Sequence, residues 1–260
     1  MHNTKELEIM YNARCFMKKK IPIIGSRHNP VLKKKFALAD MGVAVSEETR
    51  IYTNAKRNIT ILNGIPFKEV KKFENKDKFT IVGVGRLAHV KGCHTWITAL
   101  SKVNFDFKLN IVGEGEQKEE LLNLIKSLKL ENKIELVGFV RNVQDYIYNS
   151  DLQIISSSEE GLSLALIEGI FYAKVLVATD IANHKEILGE DLVFDNKVDS
   201  FVNKLEDVYK NYEKYIDLFS KIKDTKEDYS IEKMVKQYVE AYKSLLKWNK
   251  WFIFSYFYLF

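Results

Sequence analysis

Cysteine is scarce: only Cys15 and Cys93 occur, far apart and without a Cys-x-x-Cys pair. That argues against a disulfide framework and a zinc site and fits a reducing cytoplasm. The first twenty residues lack an apolar core segment, so they are not read as a secretory signal. Long hydrophobic runs are missing too. The final stretch 251–260 carries no charge but falls short of the roughly 20 apolar residues a membrane-spanning helix needs. Three readings of that tail stay open: an aromatic dip into a membrane interface, packing on the protein, or an out-of-frame or cloning-derived end. No Asp-x-Asp occurs, so a metal-bridged diphosphate site of that type lacks its usual ligands. A Gly-x-x-x-x-Gly-Lys-Ser/Thr loop and a Gly-x-Ser-x-Gly elbow are absent, which excludes a P-loop nucleotidase and argues against an α/β-hydrolase. The histidines at 2, 28, 89, 94 and 184 have no metal-ligand spacing.

What is present describes a folded protein. Apolar residues make up 46% and charged residues 29% of 260, enough for one large domain or two modest ones. The formal charge of +5 is spread over scattered lysines. It suits a phosphate-bearing ligand or an anionic lipid surface, or is an ordinary lysine-rich exterior. With no aromatic-interleaved basic patch, nucleic acid is not an expected partner.

Short Val/Ile/Leu-rich runs at 79–84, 108–112, 134–137, 152–155, 175–178 and 192–194 alternate with amphipathic stretches at 93–103, 117–130, 143–148, 162–172 and 184–188. This is the rhythm of βαβ units in a parallel sheet covered on both faces. Residues 79–199 are therefore expected to form a doubly wound, Rossmann-like α/β domain with its ligand at the carboxyl ends of the strands. Residues 1–66 read as a smaller, incomplete α/β piece: strands at 21–25, 42–45 and 58–62, and a helix at 31–39. The charged segment 68–78 reads as a linker, and residues 200–250 as helices ahead of the tail.

Three places hold candidate chemistry. Residues 162–172 are apolar nearly all round except for Glu168, so a buried carboxylate is expected there. Either ribose hydroxyls satisfy it, or it emerges at the helix edge beside a lysine. Ahead of it, Ser156-Ser-Ser-Glu-Glu-Gly161-Leu162-Ser163 makes a small polar turn between strand and helix. Such a turn suits an anion, or simply N-caps the helix. Second, Gly83-Val-Gly85-Arg86 followed by Lys91-Gly92 places two cations after a strand. They can neutralise a diphosphate or be solvated loop charges. The same glycines loosely fit a dinucleotide fingerprint, with Glu114 as the ribose ligand, which keeps a nicotinamide-dependent oxidoreductase as a competing reading. Third, His28 directly follows an apolar strand, facing a cleft or merely exposed.

Taken in order, these segments resemble retaining glycosyltransferases of family 4, which have the GT-B fold. Glu160 and Glu168 resemble the family's Glu-x7-Glu signature. Gly85-Arg86-Leu87 with Lys91-Gly92 resembles its Gly-Arg-Leu…Lys-Gly motif, and Ile111-Val-Gly-Glu-Gly115 its Ile-Val-Gly-x-Gly. The resemblance covers about residues 20–195. It implies transfer of a hexosyl group, with retention, from a nucleoside diphosphate sugar to a sugar or lipid-linked hydroxyl acceptor in bacterial envelope polysaccharide or glycolipid synthesis. The expected setting is the cytoplasm, peripheral at the inner membrane face, with no cofactor and no metal. Arg86 and Lys91 would hold the diphosphate behind Gly85, and Glu168 the ribose. Glu160 with the backbone of Gly161, Leu162 and Ser163 would orient the donor sugar, Phe139 and Val140 would meet the base, and His28 would act near the donor sugar and acceptor. The family's longer first domain, with its glycine-rich loop, is not in this sequence. An N-terminally truncated chain is therefore expected, and a non-catalytic nucleotide-binding subunit is the alternative.

Overall fold

The computed structural model describes residues 4–18, 20–29, 34–73 and 77–257, the side chains of Thr4 and of 247–257 excepted. Two compact units result, Met1–Pro66 with Asp228–Phe260, and Phe67–Glu227.

The first unit contains α1 (Thr4–Cys15), β1 (Ile24–Arg27), β2 (Met41–Ala44), α2 (Glu47–Ile51) and β3 (Asn58–Thr60). Its three strands are parallel in the order β1-β2-β3. A cluster of Leu7, Ile23, Phe36 and Ala39 ties α1 to the sheet's surroundings. The strand expected at 21–25 lies at Ile24–Arg27, because Asp40 and Met41 bond Ile23 O and set the register with β2. The helix expected at 31–39 is a 3-10 turn at Lys34–Leu38 within the described residues; 31–33 lie outside them. Buried Phe36 anchors that turn, and Ala39 N–H closes it onto Phe36 O at 3.0 Å.

The second unit is the larger. In chain order it runs β4 (Phe79–Val84), α3 (Cys93–Leu100), β5 (Phe107–Val112), α4 (Lys118–Ser127), β6 (Ile134–Gly138), α5 (Val143–Tyr148), β7 (Leu152–Ile155), α6 (Leu164–Tyr172), β8 (Val175–Thr179), α7 (Ala182–Leu188), β9 (Val193–Phe194), α8 (Val198–Lys210) and α9 (Tyr212–Lys223). All strands are parallel, in the order β6-β5-β4-β7-β8-β9. The chain builds outward from β4 through β5 to β6, then crosses back to add β7, β8 and β9 on the other side. This is the doubly wound Rossmann order, and its topological switch point lies between the carboxyl ends of β4 and β7. Burial on both faces explains why β7 and β8 are apolar without alternation.

Two expected boundaries differ. Residues 68–73, together with 77 and 78, form no helix or strand, but they are no free linker. Lys68 N–H donates to Tyr172 Oη (2.7 Å), Lys71 N–H to Asp145 Oδ1 (2.9 Å) and Phe73 N–H to Asn149 Oδ1 (2.9 Å), so the backbone is strapped onto α5 and α6. Residues 74–76 lie outside the described set. The helical stretch 200–250 is also not one segment. α8 and α9 belong to the second unit, whereas α10 (Ile231–Phe257) returns to the first. There Met234, Tyr238, Ala241 and Leu245 pack on Met41, Val43 and Ile61, an apolar face the three strands cannot cover alone. The backbone of 251–257 continues this helix; the tail's side chains and residues 258–260 lie outside the described residues. Among the described residues no helix is long and apolar enough to cross a membrane.

Candidate functional site

At the switch point two loops meet, both within the second unit. The first follows β4 and runs from Gly85 to Gly92. The second follows β7 and runs from Ser156 to Ser163. They are stitched together through backbone. Ser158 N–H donates to Val90 O (2.9 Å), and Ser156 Oγ donates to Lys91 O (2.7 Å). Gly92 has φ +66°, and a Cβ there would lie 2.6 Å from Ser156 O. Only glycine tolerates both the conformation and the approach.

This stitching brings two of the expected residues into direct contact. Lys91 Nζ forms an ion pair with Glu160 Oε1, both groups being largely shielded from water. Ser157 Oγ donates to the same carboxylate oxygen at 2.8 Å. Asn183 Nδ2 donates to Glu160 O (3.3 Å), and Thr179 Oγ1 to Ser157 O (2.6 Å). Behind them, His184 is completely buried and donates Nδ1–H to Thr179 O at 3.0 Å. Burial holds its pKa below the ordinary value of 6.5, so the ring is neutral. Ser157, Thr179, Asn183 and His184 thus fix Glu160, and none of them was expected from sequence in that supporting role, although Ser157 lies in the polar turn singled out there. The available signal was positional: each stands at or just beyond the carboxyl end of β7 or β8.

Arg86 stands in the first loop, exposed, and its guanidinium makes no ion pair or hydrogen bond among the described residues. Gly161, Leu162 and Ser163 are buried and lead into α6, whose N-cap Ser163 provides no side-chain cap. The helix start therefore presents backbone N–H groups without the usual capping oxygen, an arrangement suited to an anion. Glu168 lies on α6 among buried Ile167, Gly169 and Ile170. It is mostly buried and forms no ion pair or hydrogen bond among the described residues. Burial pushes its carboxyl up to about 7, with Lys68 pulling the other way. A lysine is thus electrostatically close without pairing, and the carboxylate keeps its acceptor capacity for a ligand. Phe139 and Val140 follow β6, Phe139 being 72% exposed. His28 follows β1 in the first unit and is exposed.

Gly83 of the loose dinucleotide fingerprint, and Gly113 and Gly115 after the next strand, have other duties. A Cβ on Gly83 would sit 1.8 Å from the Trp96 ring, so the space beside it is filled by indole. A Cβ on Gly113 would lie 1.9 Å from Gly85 O, and one on Gly115 2.3 Å from Leu87 O. These loops zip together through Gly85 N–H to Val112 O (3.0 Å) and Leu87 N–H to Glu114 O (2.9 Å). The Ile-Val-Gly-Glu-Gly segment therefore serves to shape the Gly85–Leu87 loop. Among the described residues no group of three His, Cys, Asp or Glu is placed to hold a metal ion.

A family model described as glycosyl transferases group 1 matches residues 65–225, which contain all of these loops. The chain belongs to the group 1 glycosyl transferases. Among the proteins it is similar to, an uncharacterized glycosyltransferase of Haemophilus influenzae is 31% identical over 185 residues, covering 67% of this chain and 51% of that protein. The N-acetylgalactosamine-N,N'-diacetylbacillosaminyl-diphospho-undecaprenol 4-alpha-N-acetylgalactosaminyltransferase of Campylobacter jejuni is 38% identical over 135 residues, covering 52% of this chain and 37% of that one. The chain spans about half the length of the curated relatives it matches, or less. In fold it is similar to Anabaena HepE, solved in complex with UDP. The TM-score is 0.81 at 17% identity, over 93% of this chain and 77% of that one. The sucrose-phosphate synthase of Thermosynechococcus elongatus gives a TM-score of 0.81 at 14% identity, over 95% and 73% of the two chains. The solved neighbours mark the chain's parallel, Rossmann-like α/β architecture as GT-B-like.

Proposed function

We propose that this chain supplies the donor-binding and catalytic groups of a retaining, family 4-type hexosyltransferase. It would move a sugar from a nucleoside diphosphate sugar to a hydroxyl of a sugar or lipid-linked acceptor, in the assembly of bacterial envelope polysaccharide or glycolipid. The observation that carries this reading is the contact of Lys91 with Glu160 at the β4/β7 switch point, with Arg86 exposed in the same loop as Lys91 and without an ion pair among the described residues. In this reading Gly85 lets the loop approach the diphosphate, and Arg86 and Lys91 neutralise the charge that grows as it departs. The start of α6, through Gly161, Leu162 and Ser163, adds backbone N–H groups to the distal phosphate. Glu160 orients donor-sugar hydroxyls, Glu168 accepts from the ribose, and the main chain of Phe139 and Val140 meets the base. His28 acts near the donor sugar and acceptor. The leaving phosphate takes the acceptor's proton on the same face as the new bond, giving retention, with no divalent metal or cofactor. The work takes place in the cytoplasm, with peripheral contact at the inner membrane face, and nucleic acid is no partner.

The Campylobacter relative's name supports the lipid-linked acceptor, and the UDP complex of HepE supports a nucleoside diphosphate donor. The test has two arms. Millimolar UDP or GDP should raise the melting temperature, and the purified chain should transfer radiolabelled sugar from a nucleotide sugar to a membrane lipid extract. A shift without transfer makes the chain a nucleotide-binding subunit; no shift with either nucleotide removes the reading.

A further inference from the structure

The ion pair between Lys91 and Glu160 has a consequence for ligand entry. Lys91 has one ammonium, and in the free protein it is already engaged by a carboxylate. Arg86 differs, being exposed and without an ion pair among the described residues. The two ends of the Lys91–Glu160 pair are also held unequally. Glu160 is fixed on its side chain by Ser157 Oγ (2.8 Å) and on its carbonyl by Asn183 Nδ2 (3.3 Å). On the other side, the Lys91 backbone is fixed by its N–H to Ala88 O (2.9 Å) and by Ser156 Oγ to its carbonyl (2.7 Å). That leaves only the lysine's four-carbon stem free to swing.

We propose that Glu160 is a built-in counter-anion for the donor phosphate subsite: the entering diphosphate displaces it from Lys91, and the lysine swings to the phosphate while Glu160 stays on Ser157. This rests on the donor-binding reading above and adds to it an order of events. In the free site Lys91 is charge-satisfied by Glu160, and only a ligand carrying phosphate releases it. Displacement also vacates the position that Lys91 held on Glu160 Oε1 while Ser157 keeps its own, so one exchange both grips the leaving group and frees an acceptor position for sugar hydroxyls. A nucleoside without phosphate cannot drive the exchange. The competing carboxylate therefore lowers nucleotide affinity in the wild-type chain and widens the gap between nucleoside and nucleoside diphosphate.

The test is a double-mutant cycle read by calorimetric titration of UDP and GDP into the full chain. Glu160→Gln keeps the size and the Ser157 contact but removes the competing charge. It should tighten the favoured nucleoside diphosphate about fivefold, the scale of a partly exposed ion pair. Lys91→Met should weaken it. In the Lys91→Met background, Glu160→Gln should add nothing, because no pair remains to be broken. Uridine and guanosine affinities should not respond to Glu160→Gln in either background. If the wild-type chain binds neither nucleotide, the donor-binding reading itself fails. If it binds and Glu160→Gln does not tighten binding, the exchange is overturned while that reading stands. Equal tightening in the presence and absence of Lys91 also overturns it, since that is plain charge repulsion. Circular dichroism on each variant identifies any that fails to fold. In that case Lys91→Gln replaces Lys91→Met and Glu160→Ala replaces Glu160→Gln, with the same pattern required.

Discussion

Replacing Glu168 with Gln should stabilise the protein at alkaline pH and leave it almost unchanged in mild acid. The carboxyl is mostly buried on α6, without a hydrogen-bond partner among the described residues, and burial raises it from an ordinary 4.5 to about 7. A raised carboxyl means the folded state holds its proton more tightly than the unfolded chain. Below pH 4.5 both states are protonated and the group costs nothing. Between 4.5 and 7 the unfolded chain ionises first, so stability falls as pH rises. Above 7 the folded carboxylate is ionised too, and the full cost is present. That separation corresponds to about 3 kcal/mol at 1.36 kcal/mol per pH unit. Glutamine is neutral at every pH, so Glu168→Gln should add about 3 kcal/mol at pH 8 and less than about 1 kcal/mol at pH 5. For a unit of this size the melting temperature should rise by roughly 6–12 °C at pH 8. Thermal unfolding followed by circular dichroism at both pH values measures the difference. Ribose hydroxyls donating to the ionised form would pull its pKa back down. UDP binding near pH 7 should then release a proton, visible as a buffer-dependent binding enthalpy that Glu168→Gln abolishes. An equal gain at pH 5 and pH 8 would refute the burial argument.

Three other outcomes are expected. Gly92→Ala forces a side chain into φ +66° and places its Cβ 2.6 Å from Ser156 O; it should cost about 2 kcal/mol or more, read as a lower urea midpoint. Arg86→Ala should weaken UDP binding about tenfold while changing stability by no more than about 0.5 kcal/mol, because its exposed guanidinium pairs with nothing among the described residues. Sugar transfer should continue undiminished in excess EDTA, whereas a loss restored by magnesium would show that a metal takes part.

The strands of the second unit were legible because each is a short run rich in Val, Ile and Leu, and in β7 and β8 burial on both faces leaves that compositional mark without alternation. β4, α5 and β7 fall where the pattern puts them. Boundaries in the first unit were less legible. β1 is set by bonds from Asp40 and Met41 to Ile23 O, partners distant in sequence. The turn at Lys34–Leu38 was hidden for a similar reason: buried Phe36, not helical periodicity, decides it.

For the site, the kinds of group were written in the chain: an acid and two cations beside small residues after strand ends, and a second acid in an apolar helix. Their pairing was not. Lys91 and Glu160 are 69 residues apart, and only the return of the chain to place β7 beside β4 brings them together. The support beneath Glu160 is equally a product of the fold. Thr179, Asn183 and His184 come from the next strand and helix, and a sequence does not announce which carbonyl a buried hydroxyl or imidazole will meet. Local chemistry is encoded by neighbours along the chain, whereas charge pairing and burial depend on neighbours in space.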